Sequence, residues 1–314
     1  MLSSELDAAG IHDPVLRQAY RVCRGLNAEH GRTFFLATRL LAPDQRPAVH
    51  ALYGFARRAD DILDDLESTA TLDERQEHLE RLRKQLFNRL VNNDVDGDDP
   101  ALSAVAHCAR TYDIGWDLFD DFLNSMRMDL TITDYPDRPA LQRYMYGSAE
   151  VIGLQMLPVL GTVGPREEAA PYASALGTAF QLTNFIRDVD EDLERGRVYL
   201  PADELAAHGV DRELLQWCHD NRVTDPRVRQ ALIEQVAITR DVYTVAERGI
   251  PLLDPRSRPC VSAALTLYSE ILDRVEDMGF LVFGQRATVG NRRRLQVAAV
   301  GLIDAWRSRH TRAA

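Results

Sequence analysis

Residues 53–65, Tyr-Gly-Phe-Ala-Arg-Arg-Ala-Asp-Asp-Ile-Leu-Asp-Asp, constrain this chain more than any other stretch. Wound as an α-helix, they place Tyr53, Arg57, Asp60 and Asp64 at i, i+4, i+7 and i+11, a single polar stripe. Leu52, Phe55, Ala56, Ala59, Ile62 and Leu63 take the other faces and are apolar enough to bury the helix. The stripe therefore faces an internal space, or its mouth, rather than bulk water. Like charges one turn apart repel by about 0.2–0.5 kcal/mol even when exposed, and a cation between them removes that cost.

An acidic hexamer alone is ordinarily a solvated surface, but a second segment repeats the design. In residues 181–192, Gln181, Asn184, Asp188 and Asp192 fall at i, i+3, i+7 and i+11, with Leu182, Phe185, Ile186 and Val189 on the apolar side. Two amphipathic helices, each with an oxygen-bearing stripe and an arginine set into it, are not explained by solvation. Carboxylate and amide oxygens suit a hard octahedral cation such as Mg²⁺, whose shell is commonly completed by phosphate oxygens. Arg57 and Arg187 fit the same ligand, because guanidinium pairs bidentately with phosphate. Asp61 and Asp65 lie off the stripe.

The rest of the chain narrows the reading. No linker divides the 314 residues, so one all-α domain spanning 1–314 is expected, with 1–12 as a loose leading segment. A net charge of −11 argues against nucleic acid as a partner. The four cysteines, Cys23, Cys108, Cys218 and Cys260, form no C-x-x-C pair and read as buried thiols in a reducing compartment. The first residues lack a basic and apolar leader, and the apolar run 151–163 is too short and broken to span a bilayer, so a cytoplasmic location is expected.

Helical patterns follow one another without strand alternation. Asp13 and Pro14 open one as cap and first residue. Gly31 interrupts the next, with His30, Arg32 and Thr33 beside it, either a phosphate-contacting helix entry or a polar turn. Residues 72–91 form a charged amphipathic helix. Loop 92–100 has Ser103 where a calcium loop needs Glu, and is rejected as one. Phe119, Phe122, Met126 and Leu130 share a helical face that is either core or the wall of an apolar tunnel. Residues 141–160 read as one helix with small residues at 147, 148, 149 and 153, for close packing or a flat ligand, and with Glu150 unpaired among them. Residues 195–201 form a Gly-hinged basic loop able to fold over phosphate. Residues 211–250 give two helices and 256–283 a long one, and Arg292–Arg294 open the last helix as surface. No P-loop or Rossmann glycine pattern is present.

Five stretches resemble the squalene/phytoene synthase family of all-α isoprenoid synthases: residues 30–35, 53–65, 144–153, 181–201 and 268–283. The paired acidic segments with Gln-Leu-Thr-Asn-x-x-Arg-Asp are the most specific. The resemblance implies a helical bundle around a central cavity and head-to-head joining of two prenyl diphosphates. It implies that Asp60 and Asp64 hold one side of a Mg²⁺ (or Mn²⁺) cluster and Asn184, Asp188 and Asp192 the other. It further implies that His30, Arg32, Thr33, Tyr53, Arg57, Gln181, Arg187 and Tyr268 contact the diphosphates, with Tyr199 near the reacting carbons. Phytoene formation from two geranylgeranyl diphosphates, through a cyclopropyl diphosphate and without NADPH, is the expected reaction. Squalene or dehydrosqualene formation from farnesyl diphosphate is the near alternative. A terpene cyclase is disfavoured because its second motif needs Ser or Thr where Arg187 stands. A non-catalytic assembly factor is disfavoured because all four aspartates are present. Glu150 departs from the common family pattern, and Gln285-Arg286 replaces a phosphate-contacting arginine of some relatives with an open assignment. Peripheral contact with the inner face of a membrane suits a C40 hydrocarbon product, although no amphipathic segment identifies it.

Overall fold

The computed structural model describes residues 2–64, 70–92 and 99–310, apart from the side chains of Leu2, Arg32, Asp64 and His310. In chain order the helices are α1 (Leu2–Ala8), α2 (Pro14–His30), α3 (Arg32–Thr38), α4 (Arg46–Asp64), α5 (Leu72–Val91), α6 (Pro100–Tyr112), α7 (Trp116–Met128) and α8 (Arg138–Met145). They continue with α9 (Val151–Leu160), α10 (Arg166–Arg187), α11 (Val189–Glu194), α12 (Ala202–Ala207), α13 (Arg212–Asn221), α14 (Pro226–Glu247), α15 (Arg258–Asp277) and α16 (Asn291–His310). Among the described residues the only β pairings are two isolated bridges, Asp134–Val198 and Thr162–Leu253.

Local chemistry sets many of these boundaries. The Asp13 side chain accepts a hydrogen bond from the Leu16 amide at 2.8 Å and Pro14 follows it, so α2 starts where its sequence predicts. Thr71 and Glu74 form a reciprocal capping box at the head of α5. Asp113 ends α6 in the left-handed conformation. The loop rejected as a calcium site falls mostly on residues 93–98, outside the described residues. In α1, Leu6 is fully buried and the Glu5 carboxylate accepts from Arg46 at 2.7 Å.

The buried side chains form one continuous apolar cluster running from Leu6 to Val297. At its centre α10 packs against α9, α14 and α15, while α4 packs against α2 and α6. Phe119, Phe122 and Met126 are core: Phe55 of α4 meets Phe119 edge-on at 5.5 Å and Phe122 at 5.6 Å.

The apolar stretch 141–160 differs from the single helix expected. A π-helical turn, Tyr146–Glu150, separates α8 from α9. The small residues here serve close packing. A Cβ on Gly147 would lie 2.2 Å from the Asp121 carbonyl oxygen, one on Gly153 2.2 Å from that of Ala173, and one on Gly177 2.3 Å from that of Ala149. Backbone therefore touches backbone where α10 crosses α9 and the π turn. Glu150 is not unpaired, since Gln142 donates to its Oε1 at 3.0 Å.

Gly177→Ala is expected to lower stability by about 1–3 kcal/mol, because the new methyl has no space to enter. Gly25→Ala, whose methyl would meet nothing within 4 Å in α2, is expected to raise it by up to about 1 kcal/mol. Chemical denaturation of both variants, with unchanged m-values, checks the pair.

Candidate active site

The first acidic stripe lies on the last turns of α4. Leu52, Phe55, Ala59 and Leu63 are buried as expected, and Tyr53, Arg57 and Asp60 are half-buried on the other side. Arg57 pairs with Asp61 at 2.6 Å, a partner that the stripe did not include; residues four apart on a helix are neighbours, as are residues three apart. The Arg57 Nε is buried without a hydrogen-bond partner among the described residues. Asp64 closes the helix, but its side chain, like Asp65 as a whole, lies outside the described residues.

Gly31 brings the α2–α3 turn onto this stripe. A Cβ there would lie 2.9 Å from the Tyr53 ring and 2.5 Å from Asn27 Oδ1, so only glycine permits the approach. Phe34 stacks on Tyr53 at 5.7 Å, and burial raises the Tyr53 phenol to about 12. Of the neighbouring polar group, Thr33 lines a pocket with Arg187, Tyr268, Arg286 and Arg294. His30 is exposed, its Nε2 3.9 Å from Glu29. The Arg32 side chain is outside the described residues.

The second stripe is not one continuous helix. Asp188, at φ −104° and ψ 14°, ends α10 and begins α11. Its amide still bonds to the Asn184 carbonyl at 2.8 Å, and the Asp192 amide to its own carbonyl at 2.8 Å, so the three side chains keep their helical spacing. Gln181 is half-buried one turn earlier. Arg187 and Arg286 both grip the Asp188 carboxylate, the latter at 2.9 Å, and Arg286 also reaches Glu191 at 3.3 Å. The Asn184 Oδ1 is buried with no hydrogen-bond partner. Burial, followed by the neighbouring charge of Asp188, pushes the Asp192 carboxyl up to about 8.

These donors suit a divalent cation in type. Asn184 offers an unpaired amide oxygen, and a cation beside Asp192 would supply the positive charge that its carboxylate lacks. Among the described residues no three His, Cys, Asp or Glu side chains already converge on one point; Asp64 is not among them.

The pocket of Thr33, Arg187, Tyr268, Arg286 and Arg294 joins α3, α10, α15, the following loop and α16. Arg294 corrects the reading of the basic trio as surface: its Nε is buried, without a partner, and its side chain lines the pocket. Arg286 owes its position partly to Asp190, which the stripe passed over. Asp190 is buried, takes His219 Nδ1 on one oxygen at 2.6 Å, and accepts the Gly284 amide on the other at 2.7 Å. It thereby ties α11 to α13 and to the loop that delivers Arg286. The signal was available, since a carboxylate between Val189 and Leu193 on the core side of a helix requires a partner.

Beside the arginines lies an apolar cavity walled by α3, α4, α9, α10, α14 and α15. Phe34, Leu41, Ile152, Met156, Leu176 and Phe180 are among its lining, and no charged side chain is among the described residues that line it. Two features join the compartments. Phe180 lines the cavity and stacks at 4.3 Å on Tyr268, which lines the arginine pocket; Phe34 lines the cavity next to Thr33. Tyr268 also lies within electrostatic range of Tyr53 on α4 and of Arg187 on α10. Of the two readings open for α7, core and tunnel wall, the first holds, since α7 contributes nothing to this lining.

Tyr199 stands in a separate aromatic cluster that the sequence reading resolved only in part. Its ring stacks on Phe185 at 4.2 Å and on Tyr144 at 5.5 Å. Tyr199 and Tyr144 donate to the two oxygens of Asp129 at 3.0 and 2.7 Å. Burial, then the Asp129 carboxylate, raise the Tyr199 phenol above its usual range. The 195–201 loop is laced down rather than hinged: Val198 bonds to the Thr133 carbonyl, Ala202 to that of Tyr135, and Arg197 turns inward to the Asp129 carbonyl.

Comparison with known proteins agrees with this architecture. The squalene/phytoene synthase family model matches residues 27–293, and the chain belongs to that family. It is 34% identical to a 15-cis-phytoene synthase of Synechocystis over 92% of this chain and 86% of the relative. It is 36% identical to one from Synechococcus elongatus over 92% of this chain and 94% of that relative. A carrot chloroplastic phytoene synthase is 35% identical over 93% of this chain and 72% of its own. Among solved structures, a dehydrosqualene synthase with bound ligand superposes with a TM-score of 0.82 at 26% identity, covering 91% of this chain and 96% of that one. A squalene synthase from Alicyclobacillus acidocaldarius has the same fold, with a TM-score of 0.76 at 24% identity, covering 87% and 98%.

The raised Asp192 carboxyl gives a directional test. A carboxyl whose folded pKa lies above its unfolded value near 3.8 contributes stability below that value, which is lost as pH rises through about 8. Without metal, Asp192→Asn is expected to match the wild type at pH 4–5 and to melt on the order of a few degrees higher at pH 8–9. Added Mg²⁺ with pyrophosphate should raise the wild-type melting temperature more than the variant's. Thermal melts across that pH range, with and without both additives, make the comparison.

Proposed function

We propose that this prenyltransferase, of the phytoene synthase type, condenses two geranylgeranyl diphosphates head to head to phytoene. The observation that carries the reading is the stacked Tyr268–Phe180 pair, with an arginine-lined pocket on one side and, on the other, a cavity whose described lining is uncharged. Such a site is built for an amphipathic ligand with an anionic head and a hydrocarbon tail. The global charge of −11 repels that head, so the local arginines must hold it.

The residues divide the work. Arg187, Arg286 and Arg294 supply planar donors to diphosphate oxygens, with Tyr268 and Thr33 beside them. Arg57 brings a further buried donor from the α4 stripe. Asp60, Asp64, Asn184, Asp188 and Asp192 would hold Mg²⁺, or Mn²⁺ in its place, which when bound neutralises the charge gathering on the departing diphosphate. On substrate entry, Arg286 and Arg187 exchange part of their contact with Asp188 for phosphate. The cavity excludes water, so the allylic cation left by diphosphate departure meets the double bond of the second substrate rather than hydroxide. Phe180 and Tyr268 stand where the cavity meets the pocket, and an aromatic face there attracts developing positive charge. Loss of a proton then closes a cyclopropyl diphosphate; departure of its diphosphate, rearrangement of the resulting cation and loss of a second proton end the reaction with no reductant. The second reading, squalene or dehydrosqualene formation from farnesyl diphosphate, is favoured by the superposition on a dehydrosqualene synthase.

Purified protein with geranylgeranyl diphosphate and Mg²⁺, without NADPH, is expected to give a C40 hydrocarbon by mass spectrometry. A C30 product made only from farnesyl diphosphate would transfer the assignment to the second reading. Asp60→Asn and Asp188→Asn are each expected to leave the circular dichroism spectrum intact and to reduce turnover by about 10²-fold or more. Arg294→Ala is expected to raise the inhibition constant of inorganic pyrophosphate by on the order of tenfold, the loss of one charge-assisted pair. An unchanged constant, read from steady-state kinetics, would remove Arg294 from the diphosphate site.

A further inference from the structure

A surface helix ordinarily turns one apolar face inward and a polar face to water. Helix α16 has two apolar faces. Its inner face, Val297, Ala298, Gly301 and Ala305, is buried. The contact is close enough that a Cβ on Gly301 would lie 2.6 Å from Leu40. Its outer face carries Leu295, Leu302, Ile303 and Trp306, which are 65%, 55%, 53% and 62% exposed. These positions, with Ala299 among them, follow helical spacing and form a single stripe along the outside.

Charge identifies what covers it. The helix carries five arginines against one aspartate, in a chain whose net charge is −11. Arg293 is engaged by Glu270, Arg294 faces the diphosphate pocket, and Arg309 donates to the Leu40 carbonyl. Arg292 and Arg307 are exposed beside the apolar stripe, near its two ends, Arg307 in a solvent-exposed pair with Asp304 at 3.6 Å. Two copies meeting through this face would bring two such basic helices together, and the rest of the acidic surface would repel an anionic layer. With α16 downward the protein presents both attraction and grease to an anionic bilayer. No helix among the described residues is long and apolar enough to cross a membrane, so contact is in the plane of the interface.

We propose that the outer face of α16 seats the protein on anionic phospholipid, with Leu295, Leu302, Ile303 and Trp306 entering the headgroup boundary and Arg292 and Arg307 meeting lipid phosphates. The inference concerns a surface outside the reaction site and is tested without substrate.

The full chain is centrifuged with vesicles of phosphatidylcholine alone or mixed with phosphatidylglycerol. Co-sedimentation with the mixed vesicles is expected, weakened by raised salt and falling by on the order of tenfold in the double variant Leu302→Gln/Trp306→Gln. Lipids brominated in the acyl chains should quench wild-type fluorescence, and Trp306→Phe should abolish that quenching. This readout decides the matter even if the double variant fails to fold. Equal binding by wild type and a folded double variant, absence of quenching, or a concentration-dependent dimer dissolved by the double substitution would each overturn the proposal, the last assigning the face to a second copy.

Discussion

Acidic charge packed into one short, half-buried segment is the constraint around which the site is arranged. Asp188, Asp190, Glu191 and Asp192 lie within five residues on or beside α11. Each needs an answer, because an uncompensated charge at low dielectric is costly. Asp188 is answered by Arg187 and Arg286, and Asp190 by His219 and the Gly284 amide. For Asp192, the charges of Arg195 and Arg197 fall short of offsetting burial and Asp188, and its carboxyl rises to about 8. The deficit in positive charge is thus concentrated at one carboxyl, one turn from Asp188 and two from an amide oxygen with no partner of its own. That imbalance is what a divalent cation arriving with a diphosphate would relieve.

Much of this was legible because helical periodicity depends only on residue spacing. The apolar side of α4, the alignment of Asn184, Asp188 and Asp192, and the caps at Asp13 and Pro14 all follow from positions three and four apart. The break at Asp188 was not legible, since the spacing survives it: Asp192 still bonds to the Asp188 carbonyl across the joint. Pairing between distant segments was equally hidden. Nothing in residues 284–294 says that Arg286 meets Asp188 or that Arg294 turns inward; both depend on how the loop after α15 is held. Asp190 holds that loop through a backbone amide, a partner that carries no signature in sequence. Whether α7 is core or tunnel wall stayed open for a related reason. Periodicity shows that α7 has an apolar face, but whether that face meets core or cavity is settled by its neighbours, and Phe55 of α4 fills the space beside it.

Small residues bring the two compartments together. Gly153 and Gly177 line the apolar cavity, yet each also sits where a helix backbone is crossed at contact distance. A larger side chain at either would push α10 away from α9 or from the π turn. Because α10 carries Phe180, Asn184 and Arg187 in one run, such a shift would move the cavity lining, the unpaired amide oxygen and the pocket arginine together. The tightness of this crossing therefore sets the register between the apolar cavity and the polar site, and an enzyme acting on a ligand with a charged head and a long tail requires that register to be fixed. Gly31 works in the same way on the other side, closing the α2–α3 turn onto Tyr53 so that Thr33 and Phe34 flank the junction. Gly31, which appeared in the sequence as an interruption, and Gly153 and Gly177 are the positions at which the two halves of the site are drawn to contact.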